Sequence, residues 1–120
     1  MTLLSVENLS VRYKKRGRAF GAGGETVAVE GVSFSLEGGG ATLSIIGESG
    51  SGKTTLLRSI LGLVSPSAGR VTLWSRPLGA MTDAERLEAR RRCGYVQQDP
   101  YGSLPPALTA LETVFEPWSV

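Results

Sequence analysis

Gly47-Glu48-Ser49-Gly50-Ser51-Gly52-Lys53-Thr54 decides how this chain is read. The stretch fits the phosphate-loop pattern G-x-x-x-x-G-K-[ST] at every fixed position. Ahead of it, Ala41-Thr42-Leu43-Ser44-Ile45-Ile46 is apolar and short enough to predict a buried strand. Behind it, residues 55–61 are apolar at helical spacing and Gly62 ends the run, which predicts a helix. Strand, glycine-rich loop and helix in that order are the context the motif requires.

The residue types explain the chemistry. Gly47, Gly50 and Gly52 let backbone approach a phosphate chain closely. Successive N–H groups then line a concave anion site, and the helix start adds unpaired donors and a partial positive charge. Lys53 adds a full charge within reach of β- and γ-phosphates, and Thr54 offers a hydroxyl to Mg²⁺. Ser49, Ser51 and Thr55 complete the loop's set of candidate contacts. Glu48 is expected to face solvent, because a carboxylate aimed at phosphates would repel them.

Composition narrows the class. A length of 120 residues allows one domain. With 41% hydrophobic and 20% charged residues the chain reads as globular. No apolar run can span a bilayer, and Met1-Thr2-Leu3-Leu4-Ser5 lacks the start of a secretory signal. Cys93 is the single cysteine, so no internal disulfide forms, and its expected place is the core. The absence of histidine excludes histidine-based acid–base chemistry and histidine metal sites within these residues. A net charge of +2 is too small to imply a nucleic-acid partner, and the basic stretch from Arg12 to Arg18 reads as a solvated loop.

Residues 4–13 alternate imperfectly and predict a strand with one exposed face. A basic, glycine-rich loop follows. Residues 26–36 predict a second strand with Val32, Phe34 and Leu36 on one face. Gly38-Gly39-Gly40 reads as a tight turn into the phosphate-loop strand, so an antiparallel sheet is expected ahead of the loop. Residues 65–69 read as a turn and residues 70–74 as a strand. Thr82-Asp83-Ala84-Glu85 has capping-box spacing and opens a helix to about Arg92, and Arg90 to Arg92 suit the negative end of its dipole. Residues 93–97 predict another strand, residues 98–106 a loop, and Thr109-Ala110-Leu111-Glu112 a second capping box.

Further features separate the possible phosphate-loop families. Tyr13 closes the first strand, and Gln98-Asp99-Pro100 follows the loop after helix, strand, helix and strand. Together with Gly47 to Thr55 and Leu61-Gly62-Leu63, they make the chain resemble the N-terminal half of an ATP-binding cassette (ABC) transporter ATPase. The stretch Val96 to Leu104 and the glycine-rich segment before Val29-Glu30-Gly31 resemble more narrowly the subunits that drive dipeptide, oligopeptide and nickel importers. The resemblance implies an α/β phosphate-loop NTPase fold with an antiparallel β subdomain and an incomplete nucleotide-binding core over residues 1–120. It implies ATP and Mg²⁺ as cofactors, with Tyr13 stacked on the adenine and Gln98 touching Mg²⁺ or the attacking water. In the family the glutamine stands directly before an Asp/Asn-Pro pair, which selects Gln98 over Gln97. The implied partners are a second ATPase subunit in a head-to-tail dimer and membrane permease subunits, with no nucleic acid. The implied place is cytoplasmic, peripheral on the inner face of the cell membrane, and the implied function is to couple ATP binding and hydrolysis to uptake of peptides or a similar solute.

The family pattern also contains a Leu-Ser-Gly-Gly-Gln signature, an apolar strand ending in Asp-Glu and a later histidine, none of which occurs in these 120 residues. Without the Asp-Glu pair, phosphates are stabilised but no base activates water. The expectation is weak nucleotide binding without turnover, with Leu43, Ile45 and Ile46 near an uncovered sheet edge. The alternatives are a non-transporter ABC ATPase, a small phosphoryl-transfer kinase, and a non-catalytic nucleotide-binding remnant.

Overall fold

The computed structural model describes residues 1–14, 24–99 and 101–116. Strand β1 (Thr2–Lys14) pairs antiparallel with β2 (Glu25–Glu37) on one side and with β3 (Ala68–Leu73) on the other. A short β4 (Arg76–Pro77) returns from β3, giving the sheet order β2-β1-β3-β4. The expected antiparallel sheet is therefore present, and β2 is one of its edges. Most of the basic loop expected between β1 and β2 falls on residues 15–23, outside the described residues, as does Pro100.

The imperfect alternation of β1 has a structural cause. Val6, Leu9 and Val11 are all buried, although Val6 and Leu9 are three positions apart. The pairing with β2 shifts register between Val6 and Leu9, where Asn8 takes φ 46°. This bulge rotates the strand so that both residues reach the same core. Gly69 of β3 lies against it, and a Cβ there would stand 2.3 Å from the Asn8 carbonyl oxygen. On β2, Val32, Phe34 and Leu36 are less exposed than their neighbours, the face expected from the period of two.

Helix α1 (Lys53–Ile60) packs on this sheet through Leu56 and Ile60, which join Val6, Leu9, Val11, Val29, Val71 and Leu73 in the core. Ser59, also buried, donates its hydroxyl to the Thr55 carbonyl at 3.0 Å, the usual way a mid-helix serine is satisfied. Helix α2 (Asp83–Arg91) and helix α3 (Ala110–Phe115) both begin with the expected capping boxes, Thr82 with Glu85 and Thr109 with Glu112. Arg90 and Arg91 close the last turn of α2, and Arg92 lies over the Trp74 ring, 4.3 Å from its centroid.

Two expected strands are not formed. Residues 41–46 and 93–97 take no regular structure, and Leu43, Ile45, Ile46 and Val96 are exposed. A strand of a parallel sheet takes its hydrogen bonds from neighbours distant in sequence and is normally covered on both faces. Among the described residues neither segment has such a neighbour. Their apolar character is therefore visible in the sequence while the ladder it suits is absent here.

Candidate phosphate-binding site

The site is built where the chain leaves residues 41–46 and enters α1. Gly52 is the N-cap of α1, at φ 90° and ψ 4°, and no side chain caps the helix. The first turn carries no acidic residue. The first bond across this end runs from the Leu56 N–H to the Gly52 carbonyl at 2.9 Å. The N–H groups of Lys53, Thr54 and Thr55 precede it and are left to whatever lies at the helix end. An uncapped, acid-free helix start is suited to an external anion.

Glycine is needed at position 52 for a second reason. A Cβ there would stand 2.0 Å from the Ala28 carbonyl oxygen of β2. The edge strand thus presses directly on the loop's last turn. Lys53 folds back over the start of the loop, donating to the Gly47 and Glu48 carbonyls at 2.6 Å each and to the Ser51 hydroxyl at 3.1 Å. Those bonds hold the ammonium over the loop while Glu48 turns outward to solvent, as expected.

An open cavity of about 550 Å³ lies against this helix end. Ser49, Gly50, Ser51, Gly52, Lys53, Thr54 and Thr55 line one wall, and Gln98 contributes from across the chain. Gln97 does not line it. Gly47 stands behind the loop, lining a separate groove with Ile45 and Ile46. Tyr13 is also outside the cavity lining. It pairs with Thr26, which does line the cavity, so the half-exposed ring stands one strand away from it. The third contribution, Thr26, Val27 and Ala28 of the β2 edge, is invisible in the sequence. No local pattern marks it, since only the strand order puts that edge beside the loop.

Among the described residues no group of three or more His, Cys, Asp or Glu is arranged to hold a metal ion. The oxygen donors that a hard cation would find here are hydroxyls and the Gln98 amide. Cys93, expected in the core, is half-buried at the end of α2. Burial pushes its thiol pKa up, with Arg92 opposing, so it stays a thiol and has no part in this site.

A family model described as ABC transporter matches residues 29–119. The chain belongs to the ABC transporter family. It is 41% identical over 116 residues to a probable peptide ABC transporter ATP-binding protein, y4tS, of Sinorhizobium fredii, covering 96% of this chain and 33% of that protein. It is 43% identical over 94 residues to the oligopeptide transport ATP-binding protein OppD of Mycobacterium tuberculosis, covering 78% of this chain and 15% of that one. Among solved structures, the dimeric bacterial ABC transporter cassette MJ0796 superposes with a TM-score of 0.79 at 32% identity, over 95% of this chain and 46% of that chain. The same cassette in a post-hydrolysis state bound to ADP and Pi superposes with a TM-score of 0.78. The chain spans about a third of the length of the peptide-transporter relative it matches over most of its own length.

Proposed function

We propose that these residues supply the phosphate-binding part of a MgATP site in an ATPase subunit of a peptide importer. The observation that carries this reading is the single cavity that joins the uncapped start of α1, the phosphate loop and Gln98. The residues fit the group they would hold. Glycines at 50 and 52 bring backbone donors to the cavity wall, the helix start is free of acid, and Lys53 is already held over the loop. When bound, MgATP brings the phosphoanhydride that hydrolysis breaks and a cation that offsets its charge.

In this reading Lys53 takes the β- and γ-phosphates and the loop's N–H groups take the remaining oxygens. Ser49, Ser51 and Thr55 add hydroxyl contacts, and Gly47 begins the turn. Thr54 and Gln98 are the oxygen ligands for Mg²⁺, with Gln98 also facing the attacking water. Tyr13 offers its ring to the adenine from the strand beside the cavity. The protein works as one member of a head-to-tail pair, docked on permease subunits at the inner face of the membrane. Among the described residues no helix is long and apolar enough to cross a membrane. The solute would be a peptide or similar small molecule, as the names of the relatives support. Nucleic acid is not a partner in this reading.

Among the described residues no carboxylate lines the cavity to act as a general base for water, so in this reading these residues bind nucleotide without turning it over. The test is equilibrium binding of ATP with Mg²⁺ to the wild-type chain and to Lys53→Ala. Measurable binding by the wild type, weakened about tenfold or more in the variant, supports the reading. Equal binding by both, or none by the wild type, refutes it. Steady-state phosphate release that disappears in Lys53→Ala would overturn the statement about turnover.

A further inference from the structure

We propose that Asp99 is a positioning residue, locking the turn that holds the Gln98 amide at the cavity over the phosphate loop. The inference rests on reading that cavity as a MgATP site. Gln98 reaches the cavity from a stretch with no regular structure, since residues 94–98 form neither helix nor strand. No ladder or helix therefore sets where its side chain points. What orders the chain begins at the next residue. The Gly102 N–H donates to Asp99 Oδ1 at 3.3 Å, and the Ser103 hydroxyl donates to the Asp99 carbonyl at 2.7 Å. A short helical turn, Tyr101–Ser103, sits inside this closure, and the Leu104 N–H donates to the Tyr101 carbonyl at 3.4 Å.

The closure leaves little room at Gly102. A Cβ on Gly102 would stand 3.0 Å from Asp99 Oδ2, closer than ordinary packing allows. Asp99 is itself exposed and absent from the cavity lining, so it acts through Gln98 and not by touching nucleotide or metal. An aspartate side chain that accepts from an N–H farther along the chain is a known way of fixing a turn without secondary structure. The work at Asp99 is done by an acceptor oxygen, which asparagine also has. A direct role on the cation would instead need the negative charge.

The experiment measures ATP affinity of the 120-residue chain with Mg²⁺ and with EDTA, for wild type, Gln98→Ala, Asp99→Ala, Asp99→Asn, Gly102→Ala and the Gln98→Ala/Asp99→Ala double variant. Gln98→Ala is expected to lower affinity about threefold to tenfold with Mg²⁺ and to leave affinity in EDTA unchanged. Asp99→Ala should show the same selective loss, and the double variant should lose no more than either single one. Asp99→Asn should retain wild-type affinity, and Gly102→Ala should fall between wild type and Asp99→Ala. All three positions are exposed, and thermal melts of each variant check that the fold persists. The proposal is overturned by an unaffected Asp99→Ala, by additive losses, by a loss common to both conditions, or by Asp99→Asn behaving as Asp99→Ala. An unaffected Gln98→Ala overturns it while leaving the phosphate-loop reading intact. A wild-type chain that binds no ATP removes both.

Discussion

Gly52 meets two demands together, a left-handed φ of 90° and a carbonyl oxygen 2.0 Å from where its Cβ would be. Alanine there must move either the β2 edge or the first turn of α1, and both are walls of the cavity. Gly52→Ala is therefore expected to lower stability by about 2 kcal/mol or more in a denaturant titration, and to weaken ATP binding beyond detection. Retained binding would show that the edge strand yields without disturbing the loop. An opposite case stands at the β3–β4 turn. Leu73 pairs with Arg76, so Trp74 and Ser75 form a two-residue hairpin loop, at φ 46° and φ 63°. Such loops favour glycine at the second position, where a Cβ is strained. Ser75→Gly is expected to raise stability by about 0.5 kcal/mol after the added freedom of the unfolded chain is counted, read as a higher unfolding midpoint. Trp74 must stay, because Arg92 rests on its ring. The place of Lys53 and Thr54 at the start of a helix was legible from the motif. Gln98 was reached only through the family pattern. The pressure of Ala28 on Gly52 was not legible, since it depends on which strand ends up at the sheet edge.

Helices α2 and α3 were legible because their signals are local. The Thr82 hydroxyl accepts from the Glu85 N–H at 3.3 Å and the Glu85 carboxylate accepts from the Thr82 N–H at 2.8 Å, all within four residues. Thr82→Ala is expected to cost about 1 kcal/mol, read as a lower unfolding midpoint. Segments 41–46 and 93–97 have the apolar character of strands but no described neighbour to pair with, which is why reading their residues alone gave the wrong local structure. The α2 cap also carries a pH dependence. The Arg76 guanidinium, followed by the Thr82 N–H and hydroxyl, holds the Glu85 carboxyl down to about 2. In the unfolded chain the same group titrates in the ordinary glutamate range. The folded state thus binds its proton less readily, and Glu85 adds stability that is present above the ordinary glutamate range and lost as pH falls toward 2. Melting temperatures taken from neutral pH downward should fall less steeply through that window for Glu85→Gln than for the wild type. Parallel curves would mean that Glu85 does not carry the acid sensitivity.

Sheet, loop and cavity together leave one face of the protein poorly covered. Behind the phosphate loop a groove of about 380 Å³ is lined by Val29, Val32, Ile45, Ile46 and Leu56, with Glu30 and Lys53 also in its wall. Ile46 is 92% exposed, and the segment that carries it has formed no ladder. Exposed apolar residues beside unpaired backbone are a template for association with another chain. The isolated 120-residue chain is accordingly expected to self-associate at concentrations where it is otherwise folded. Ile46→Lys tests this directly. The side chain buries almost nothing, so its loss should change stability by no more than about 0.5 kcal/mol. The new charge should nevertheless oppose pairing along residues 41–46. Sedimentation at several concentrations should show the wild type growing in mass and the variant staying monomeric, with matching denaturation curves. Equal association by both chains would move the adhesive surface to the apolar residues of α3, Leu111 and Val114, which are also exposed. A large drop in stability would instead mean that residues 41–46 already contribute to the fold in solution, and that the strand expected there forms after all.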